Sequence, residues 1–390
     1  MERIRLAPRP DWRARVEEVG LDWHTADDGG VYWDESACWR LSPAEVDRIE
    51  AAVGELWAMV LAAVEDVISR GRLADFGYAG DAAELIERSW RLREAEPALY
   101  ARFDLAYDGR DLKMLELNGD TPTSLLEAAA VQWWWMEQRF PLADQFNGVH
   151  DTLIAGLKRW RRSAPSNVLH FTCVTPHAED EGTVTYLAAC AGEAGLTPAF
   201  VPLEEIGLTD DGFVDGRDRP IEAMFKLVPW EWMLADPFGE RLAAEVLAGR
   251  LRLVEPAWKM LASHKRLLVT LNAMFPDSPL LLDATDDVAV ARGWGDYVRK
   301  PVHGREGANV ALYTGGQKDA SQDGTFEDDE VIYQRRAALA QADGAYAVLG
   351  GWIVDGEACG LGIRESRGPI TTNTARFVPH VMAEAGEIAG

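Results

Sequence analysis

A strand–helix–strand pattern in the middle of the chain most constrains the fold. Two short apolar runs, SNVLHFTCVT from Ser166 and PAFVPL from Pro198, are separated by a helical stretch from Asp180 to Ala194. This order predicts a βαβ-like α/β unit. A third apolar run, EAMFKLV, precedes Pro229 and predicts another strand. The central part of the chain is therefore expected to form an α/β unit.

The segments before this unit predict two helices and a hairpin. Ser42-Pro43-Ala44-Glu45 forms a capping box with proline at the first helical position, and apolar residues then recur at spacings of three and four as far as Val67. A second helix is expected from Ala82 to Arg93. From Leu99 to Asn118, apolar and polar residues alternate around Asp108-Gly109, a type I′ turn signal. We therefore expect a β-hairpin with polar residues on one face.

The remaining segments predict further helices and then strands. Ser124-x-x-Glu127 is a helix start signal, and the helix that follows carries Trp133-Trp134-Trp135, which we interpret as core or groove-wall aromatics. Helical patterns recur from Gly239 to Leu247 and from Pro256 to Met274. Beyond these helices a series of apolar runs predicts an antiparallel sheet, and Gly315 to Asp329 is expected to be a loop.

Charge and composition exclude several classes of function. The 390 residues include 39 Lys and Arg against 64 Asp and Glu, a net charge of −25. Such a surface repels phosphate backbones and anionic membranes, so neither a nucleic acid nor a membrane is an expected partner, whereas a small cationic partner stays open. The cysteines Cys38, Cys173, Cys190 and Cys359 form no C-x-x-C pair. We expect a cytoplasmic protein.

The common nucleotide and hydrolase motifs are absent from the sequence. It contains no G-x-x-x-x-G-K-[ST], no G-x-G-x-x-G after a strand, no H-E-x-x-H and no G-x-S-x-G. The seven histidines share no metal-ligand spacing, so a zinc site is not expected. P-loop, Rossmann, zincin and α/β-hydrolase chemistry are thereby excluded.

The predicted hairpin brings hard oxygen ligands together. Glu116 and Asn118 are two residues apart, so they share one face of a strand, and the turn brings that face towards Asp104. Two carboxylates and an amide oxygen suit Mg²⁺ that also binds substrate phosphates. A solvated acidic face is the alternative interpretation. Arg102 adds a cation that is either an ion-pair partner of these acids or a clamp for a phosphoryl or carboxylate group.

A second basic motif follows a later strand. It reads Lys300-Pro301-x-x-Gly304-Arg305-Glu306-Gly307-x-Asn309, and its glycines provide a flexible loop that can approach a polyphosphate. An ordinary β-hairpin with a basic turn is the alternative. Lys265 and Lys226 lie in otherwise apolar segments, where they either add charge to such a site or extend their ammonium groups to water.

Taken together, these motifs resemble the glutathionylspermidine synthetase family. They occur in the family's order from near Trp12 to His380, so the resemblance covers almost the whole chain. The family's usual L-E-Y-N-A-D is L-E-L-N-G-D here, and the asparagine that commonly precedes Lys265 is His264. The matching blocks are R-F-D (102–104), L-E-L-N-G-D-T-P-T-S-L-L-E (115–127), V-Q-W (131–133), F-K-L-V-P-W-E-W (225–232), E-P-A-W-K-M-L (255–261), K-P-V-H-G-R-E-G-A-N-V (300–310), G-I-R-E (362–365) and R-F-V-P-H (376–380).

The resemblance implies an ATP-grasp fold of mixed α+β and α/β character. Residues 1–150 would hold the N-terminal helices, the hairpin and the following helix, residues 151–255 an α/β substrate domain, and residues 256–390 the nucleotide-binding subdomains. Family members use ATP and Mg²⁺ to join a carboxylate to an amine through an acyl phosphate, and the synthetase joins the glycine carboxylate of glutathione to spermidine. The implied partners are a peptide-like carboxylate and a polyamine or another amine, with the oligomeric state left open.

By position, the resemblance also implies roles for individual residues. No nucleophilic side chain is needed for this chemistry, which agrees with the absence of a catalytic triad. The implied groups are the Mg²⁺ ligands Asp104, Glu116 and Asn118; the ATP-binding residues Lys265, Lys300 and Gln334; the catalytic arginines Arg102, Arg305 and Arg364; and the substrate-binding residues Thr121, Thr123, Ser124, Asp180 and Glu181.

Bifunctional family members also carry a cysteine amidase domain, which is expected to be missing here. Cys38 has no nearby histidine in the sequence and is not interpreted as a nucleophile. Two other functions stay open. One is a non-catalytic nucleotide- or peptide-binding protein that retains the fold, and the other is a kinase that phosphorylates a small acid without coupling it to an amine.

Overall fold

The computed structural model describes residues 1–26 and 29–387, over which helices and strands alternate. The helices are α1 (Trp12–Glu17), α2 (Pro43–Ser69), α3 (Gly80–Arg91), α4 (Gln132–Arg139), α5 (Val149–Arg161), α6 (Ala178–Glu193), α7 (Trp230–Ala235), α8 (Gly239–Leu247), α9 (Lys259–Ser263), α10 (Arg266–Met274) and α11 (Val288–Trp294). The strands are β1 (Glu2–Arg5), β2 (Ala37–Leu41), β3 (Tyr100–Tyr107), β4 (Leu112–Asn118), β5 (Val168–Thr172), β6 (Thr197–Phe200), β7 (Gly207–Thr209), β8 (Gly212–Val214), β9 (Ala223–Lys226), β10 (Arg252–Val254), β11 (Ala284–Thr285), β12 (Tyr297–Pro301), β13 (Ala311–Thr314), β14 (Gln317–Ser321), β15 (Val331–Arg335), β16 (Ala340–Ala342), β17 (Ala345–Val354), β18 (Glu357–Ser366), β19 (Arg376–Phe377) and β20 (His380–Met382).

The central unit is a parallel four-stranded sheet in the order β10-β9-β5-β6. β5 and β6 run parallel and are joined by α6, which confirms the strand–helix–strand prediction. The apolar run before Pro229 forms β9, which lies parallel to β5 on the other side. Phe171 on β5 and Phe225 on β9 pack with their ring centroids 5.7 Å apart. Short, buried, largely apolar strands of this kind are typical of parallel sheets.

The predicted hairpin lies in a sheet that is completed by the other end of the chain. β3 pairs with β4 on one side and with β17 on the other, and β17 pairs with β18. The long helix α2 begins at the predicted capping box and packs against this sheet. Gly351 on β17 lies so close to α2 that a Cβ there would be 2.7 Å from Val53 Cγ2. Every residue of β3 is buried and those of β4 are buried or half-buried, so the hairpin is not a fully solvated face.

The C-terminal strands form two sheets rather than the single antiparallel sheet that we expected. β11, β15, β12, β13 and β14 form one sheet, whereas β17 and β18 join the hairpin. The division follows from burial, because nearly all of β17 is apolar and inaccessible and must be covered on both faces. The predicted loop Gly315 to Asp329 is also partly wrong, since it contains β14, which pairs with β13.

The hairpin turn is longer than predicted. Asp108 to Asp111 connect the strands, and Asp108 Oδ1 accepts hydrogen bonds of 2.8 Å from the backbone N–H groups of Arg110 and Asp111. Gly109 has a φ of 97° but Asp108 is not in the left-handed region that a type I′ turn requires, so that prediction is wrong. The side chain of Asp108 stabilises the longer turn in place of the expected two-residue loop.

Two predicted helices also differ from those observed. The helix expected from Pro256 to Met274 is divided into α9 and α10, because the backbone N–H of Lys265 donates to Val302 O at 3.0 Å instead of continuing the helix. The helix predicted at Ser124 does begin there, with residue 125, but the Ser124 side chain does not cap it. Ser124 has a φ of 64°, and Glu127–Val131 form a π-helical turn that leads into α4.

The remaining sequence expectations concern exposure and connectivity. Trp135 is buried, but Trp133 and Trp134 are 36% and 54% exposed, so only part of the tryptophan cluster lies in the core. The four cysteines are buried free thiols. Among the helices of the described residues, none combines the length and the apolar character needed to cross a bilayer. The domain boundaries at 150 and 255 remain a prediction, since the hairpin shares its sheet with strands from the C-terminal part.

Candidate active site

A cleft of about 320 Å³ lies between the six-stranded and five-stranded sheets. Its floor comes from β3, β4 and β18, and its other wall comes from β12, β15 and the loop after β12. Residues predicted to bind metal, nucleotide and substrate meet here although they are spread over most of the sequence. The cleft is lined by Arg102, Asp104, Glu116, Asn118, Thr121, Thr123, Lys265, Lys300, Arg305, Gln334 and Arg364.

The three predicted metal ligands share one face of the hairpin. Asp104 on β3 lies directly opposite Glu116 on β4, and Arg102 lies opposite Asn118. Asp104 Oδ1 accepts a hydrogen bond of 2.8 Å from Arg102 Nε, and its Oδ2 accepts one of 2.6 Å from Arg364 Nη2. Burial alone would raise the pKa of Asp104, but the two arginines outweigh it and lower the pKa below its ordinary value. The carboxylate is therefore ionised at neutral pH.

The donor set of this face fits Mg²⁺. Glu116 lies beside Lys265, whose Nζ is 3.3 Å from its carboxylate, and Asn118 Nδ2 is buried with no hydrogen-bond partner among the described residues. Rotation of the Asn118 amide would present its oxygen to a cation instead. Three protein oxygens are fewer than the six ligands of Mg²⁺, so phosphate oxygens and water would complete the shell. The described residues contain no group of three or more His, Cys, Asp and Glu side chains arranged around a metal position.

The two predicted phosphate lysines face the cleft from opposite elements. Lys300 at the end of β12 donates to Leu115 O at 2.9 Å and to Gln334 Oε1 at 2.8 Å. The pKa of Lys300 is lowered to about 8, mainly by burial; Glu116 opposes the change and nearby Lys265 adds to it. Lys265, at the break between α9 and α10, donates to Gly304 O. Both ammonium groups thus point at the space between the metal face and the loop after β12.

Gln334 lines the cleft, and its side-chain amide is bonded within the protein. Its side chain is buried, and its Nε2 donates to Met114 O at 3.2 Å while its Oε1 accepts from Lys300. Both ends of the amide are used within the protein. In this structure Gln334 orients Lys300, and an adenine contact remains a prediction.

The loop after β12 carries Arg305 over the cleft. Arg305 Nη1 donates to Thr121 Oγ1 at 2.8 Å, and its guanidinium lies 5.8 Å from the ring centre of Trp232. Gly307 has a φ of 73°, and a Cβ there would lie 2.5 Å from Thr371 O, so the loop can take this path only with glycine. The basic turn therefore closes onto the segment that follows β4, which favours a binding loop over an ordinary hairpin turn.

The other predicted substrate residues lie outside the cleft lining. Ser124 is buried, with its Oγ 3.3 Å from the hydroxyl of Tyr32. Glu181 accepts a hydrogen bond from the backbone N–H of His177 and so belongs to the start of α6. Burial raises the pKa of Asp180 to about 6, and Glu179 and Glu306 add to the rise. Asp180 is thus close to the loop of Arg305 although it does not line the cleft.

Two acidic residues near these positions were missed by sequence reasoning. Glu127 is fully buried and accepts hydrogen bonds from Tyr32 Oη at 2.6 Å and Trp23 Nε1 at 2.9 Å. Its Oε2 has no partner among the described residues, and burial together with Glu179 raises its pKa to about 7. Burial and Glu306 also raise the pKa of Glu179, which the Thr123 hydroxyl lowers in part. The signal for Glu127 was present in the S-L-L-E motif but predicted a helix cap.

Comparison with known proteins shows the family to which the chain belongs. The family model described as glutathionylspermidine synthase preATP-grasp matches residues 3–383. A protein of Haemophilus influenzae, provisionally named an acid–amine ligase, is 39% identical over 97% of this chain and 99% of its own length. The trypanothione synthetase and glutathionylspermidine synthase of Crithidia fasciculata are 28% and 25% identical over 73% and 78% of this chain.

The chain spans about half the length of these two synthetases, 47% and 52% respectively. Among solved structures, a provisionally named γ-glutamylcysteine synthetase of Methylobacillus flagellatus is 12% identical, with a TM-score of 0.46 over 85% of this chain and 88% of its own. The family model and the Haemophilus relative each cover nearly the whole sequence. The chain therefore belongs to the glutathionylspermidine synthase family of ATP-grasp ligases.

Proposed function

We propose that this protein is an ATP-dependent ligase that joins a peptide-like carboxylate to an amine through an acyl phosphate. The observation that carries the proposal is the cleft in which Arg102, Arg305 and Arg364 face the same space as the oxygen ligands and the two lysines. Cations around a patch of hard oxygen donors suit a triphosphate with bound Mg²⁺. The negative net charge of the chain does not oppose nucleotide binding, because the nucleotide interacts with the local charge of the cleft.

Each group in the cleft has a role in such a reaction. Lys265 and Lys300 would bind the phosphates of ATP and hold the γ-phosphorus in line with the substrate carboxylate. Asp104, Glu116 and Asn118 would hold Mg²⁺, which when bound neutralises phosphate charge. The arginines would stabilise the negative charge that develops as the carboxylate oxygen attacks and ADP leaves. The deprotonated amine then attacks the acyl carbon, the carboxylate oxygen departs with phosphate, and the nitrogen loses a proton as the amide forms.

The acidic residues beside the cleft favour an amine as the second substrate. The pKa values of the buried Glu127 and the half-buried Glu179 and Asp180 are raised by loss of solvent and by neighbouring carboxylates, and a cation placed among them would relieve the repulsion. Glu127 Oε2 lacks a partner among the described residues and can accept an N–H. We therefore assign these residues to binding the ammonium form of a polyamine or another amine, and the Thr121–Thr123 segment to the acyl substrate.

The proposal is tested by measuring ADP release with Mg-ATP and a panel of small peptides and amines, with mass spectrometry of the products. Purified protein is expected to release ADP only with a matched pair, and Glu116→Ala is expected to abolish that release. Glu84→Ala, an exposed change on α3, is the matched control and should behave as the unmodified protein. Nucleotide binding without ADP release from any pair would identify a non-catalytic binding protein. Release of ADP without an amide product would identify a kinase.

A further inference from the structure

Four charged side chains are buried together behind the metal face, and none of them lines the cleft. Asp120, Lys226, Glu255 and Lys259 are each at most 1% exposed. We call them the buried charge cluster. Lys226 was noted in the sequence as a cation in an apolar strand, and its ammonium does not reach water but bonds Asp120 Oδ1 at 2.6 Å.

Lys259 joins the ends of the two hairpin strands. Its Nζ donates to Tyr100 O at the start of β3 and to Gly119 O just after β4, both at 2.9 Å, and lies 3.3 Å from Glu255. Glu255 in turn accepts hydrogen bonds from the backbone N–H groups of Leu99 and Tyr100, at 2.9 to 3.1 Å. Tyr100 lies two residues before Arg102, and Gly119 lies one residue after Asn118. The contacts of Lys259 and Glu255 are therefore next to the cleft residues of both strands.

Asp120 fixes the segment after β4 to the central unit. Its Oδ1 bonds Lys226 on β9, and its Oδ2 accepts from the backbone N–H of Trp230 at the start of α7, at 3.0 Å. The backbone N–H groups of Gly119 and Asp120 both donate to Ser263 Oγ, at 3.1 and 2.8 Å. Ser263 ends α9, two residues before Lys265. The segment that leaves the metal face is therefore held from β9, α7 and α9 at once.

Burying two ion pairs is an unfavourable way to stabilise a core, since apolar side chains of similar size would serve at least as well. What the cluster provides is orientation. Glu255 and Lys259 bond backbone groups at the ends of the hairpin strands. Asp120, in the segment after β4, bonds Lys226 and the backbone N–H of Trp230. We propose that Lys259 and Asp120, with their partners Glu255 and Lys226, are positioning residues that fix Asn118 relative to Arg102 and Lys265. This rests on the proposed function, because it concerns the affinity of that site for metal and nucleotide.

The test compares two matched charge removals. Lys259→Met with Glu255→Gln removes one buried pair and keeps the volume. Arg9→Met with Glu35→Gln removes another buried pair, which bonds Gln138 and lies outside the cleft lining. Mn²⁺ binding is followed by electron paramagnetic resonance in the presence of a non-hydrolysable ATP analogue, and thermal unfolding is recorded for each variant. Loss of an outer-shell partner of a metal site commonly weakens metal binding by about 10- to 100-fold.

We expect the Lys259/Glu255 variant to bind Mn²⁺ at least about tenfold more weakly and to raise KM for Mg-ATP, whereas the Arg9/Glu35 variant changes only the melting temperature. Equal Mn²⁺ affinity in both variants would overturn the proposal. If the first variant does not fold, Ser263→Ala provides the test, since it removes only the acceptor of the Gly119 and Asp120 backbone N–H groups. This variant should still bind Mn²⁺ more weakly. Unchanged Mn²⁺ affinity in Ser263→Ala would also overturn the proposal. Failure of the unmodified protein to bind the Mn²⁺–nucleotide complex would instead contradict the proposed function.

Discussion

The carboxylate of Asp104 accepts a hydrogen bond of 2.6 Å from Arg364, which lies 260 positions later in the sequence. The bond joins β3 and β18 across the intervening strand β17, so the floor of the cleft is assembled from both ends of the chain. Arg102 holds the other oxygen of the same carboxylate. The charge of the metal face is therefore set by two arginines that are also suited to a phosphoryl group.

Replacement of Arg364 by methionine should slow catalysis more than it weakens ATP binding. A charge-assisted hydrogen bond is worth about 1.5–3 kcal/mol, which corresponds to a loss of about 10- to 100-fold in kcat if the contact forms with the reacting phosphoryl group. Steady-state kinetics with the matched substrate pair measures both constants. Arg376→Met is the control, since that arginine pairs with Asp34 and Glu365 outside the cleft lining. If only KM for ATP changed, Arg364 would contribute to binding ATP in the ground state and not to stabilising the transition state.

Binding of ATP should weaken as the pH rises through about 8. The pKa of Lys300 is lowered to about 8 by burial, so its ammonium is present below that pH and is lost above it. Bound phosphate favours the charged form, so binding near pH 8 should also take up a proton. Calorimetry in buffers of different ionisation enthalpy measures this uptake. Lys300→Met should bind ATP weakly at every pH, and an equal pH dependence in that variant would show that another group titrates.

Replacement of Gly351 by alanine should destabilise the fold. The new Cβ would lie 2.7 Å from Val53 Cγ2 and 3.3 Å from Leu105 Cδ1, and overpacking of this kind commonly costs about 1–3 kcal/mol. Urea unfolding measures the free energy difference. Gly293→Ala in α11 is the matched control, since a Cβ there meets nothing within 4 Å and alanine is the better helix former. Equal stability of the two variants would mean that α2 and β17 separate readily.

Replacement of Glu127 by glutamine should stabilise the protein at high pH. The pKa of Glu127 is raised to about 7 by burial and by Glu179, so the folded state holds a proton that the unfolded chain releases near the ordinary pKa of 4.5. Stability of the unmodified protein therefore falls as pH rises between these values, and glutamine removes that loss. Above pH 7 the variant should gain on the order of 3 kcal/mol in unfolding free energy, and near pH 4.5 the two proteins should be nearly equal. Thermal or urea unfolding at several pH values measures the difference.

The same variant should bind the amine substrate less well, because it removes a buried acceptor and its charge. An increase in KM for the amine with an unchanged KM for ATP is the expected pattern. A gain in stability without any change in KM for the amine would assign Glu127 to the core alone.

Local patterns in the sequence predicted local structure well. The capping box at Ser42 places the start of α2, and the alternation from Leu99 to Asn118 predicts the hairpin, because both depend on residues within a few positions of one another. The pairing of Asp104 with Glu116 does not follow from the alternation, because it depends on the longer turn and on the register shift between Asp104 and Leu105. Motif resemblance then added Lys265, Lys300, Arg305 and Arg364, which no local pattern could bring to one place.

Features that depend on distant contacts were not predictable in this way. The division of the C-terminal strands into two sheets depends on whether β17 is covered on both faces, which its apolar sequence permits but does not specify. The break at Lys265 requires Val302, and the environment of Glu127 requires Tyr32 and Trp23 from the N-terminal segment. Glutamate occurs both in helix start signals and as a buried acid. The sequence motif is the same in the two cases, and only burial in the folded protein distinguishes them.

The central claim is that a carboxylate is activated by phosphorylation before an amine attacks it. The most direct measurement uses the matched acyl substrate labelled with ¹⁸O in its carboxylate, with Mg-ATP and the amine, and follows the label by mass spectrometry. Activation through an acyl phosphate predicts that one ¹⁸O atom appears in the released phosphate for each amide and each ADP formed. Formation of the amide with unlabelled phosphate would contradict the account.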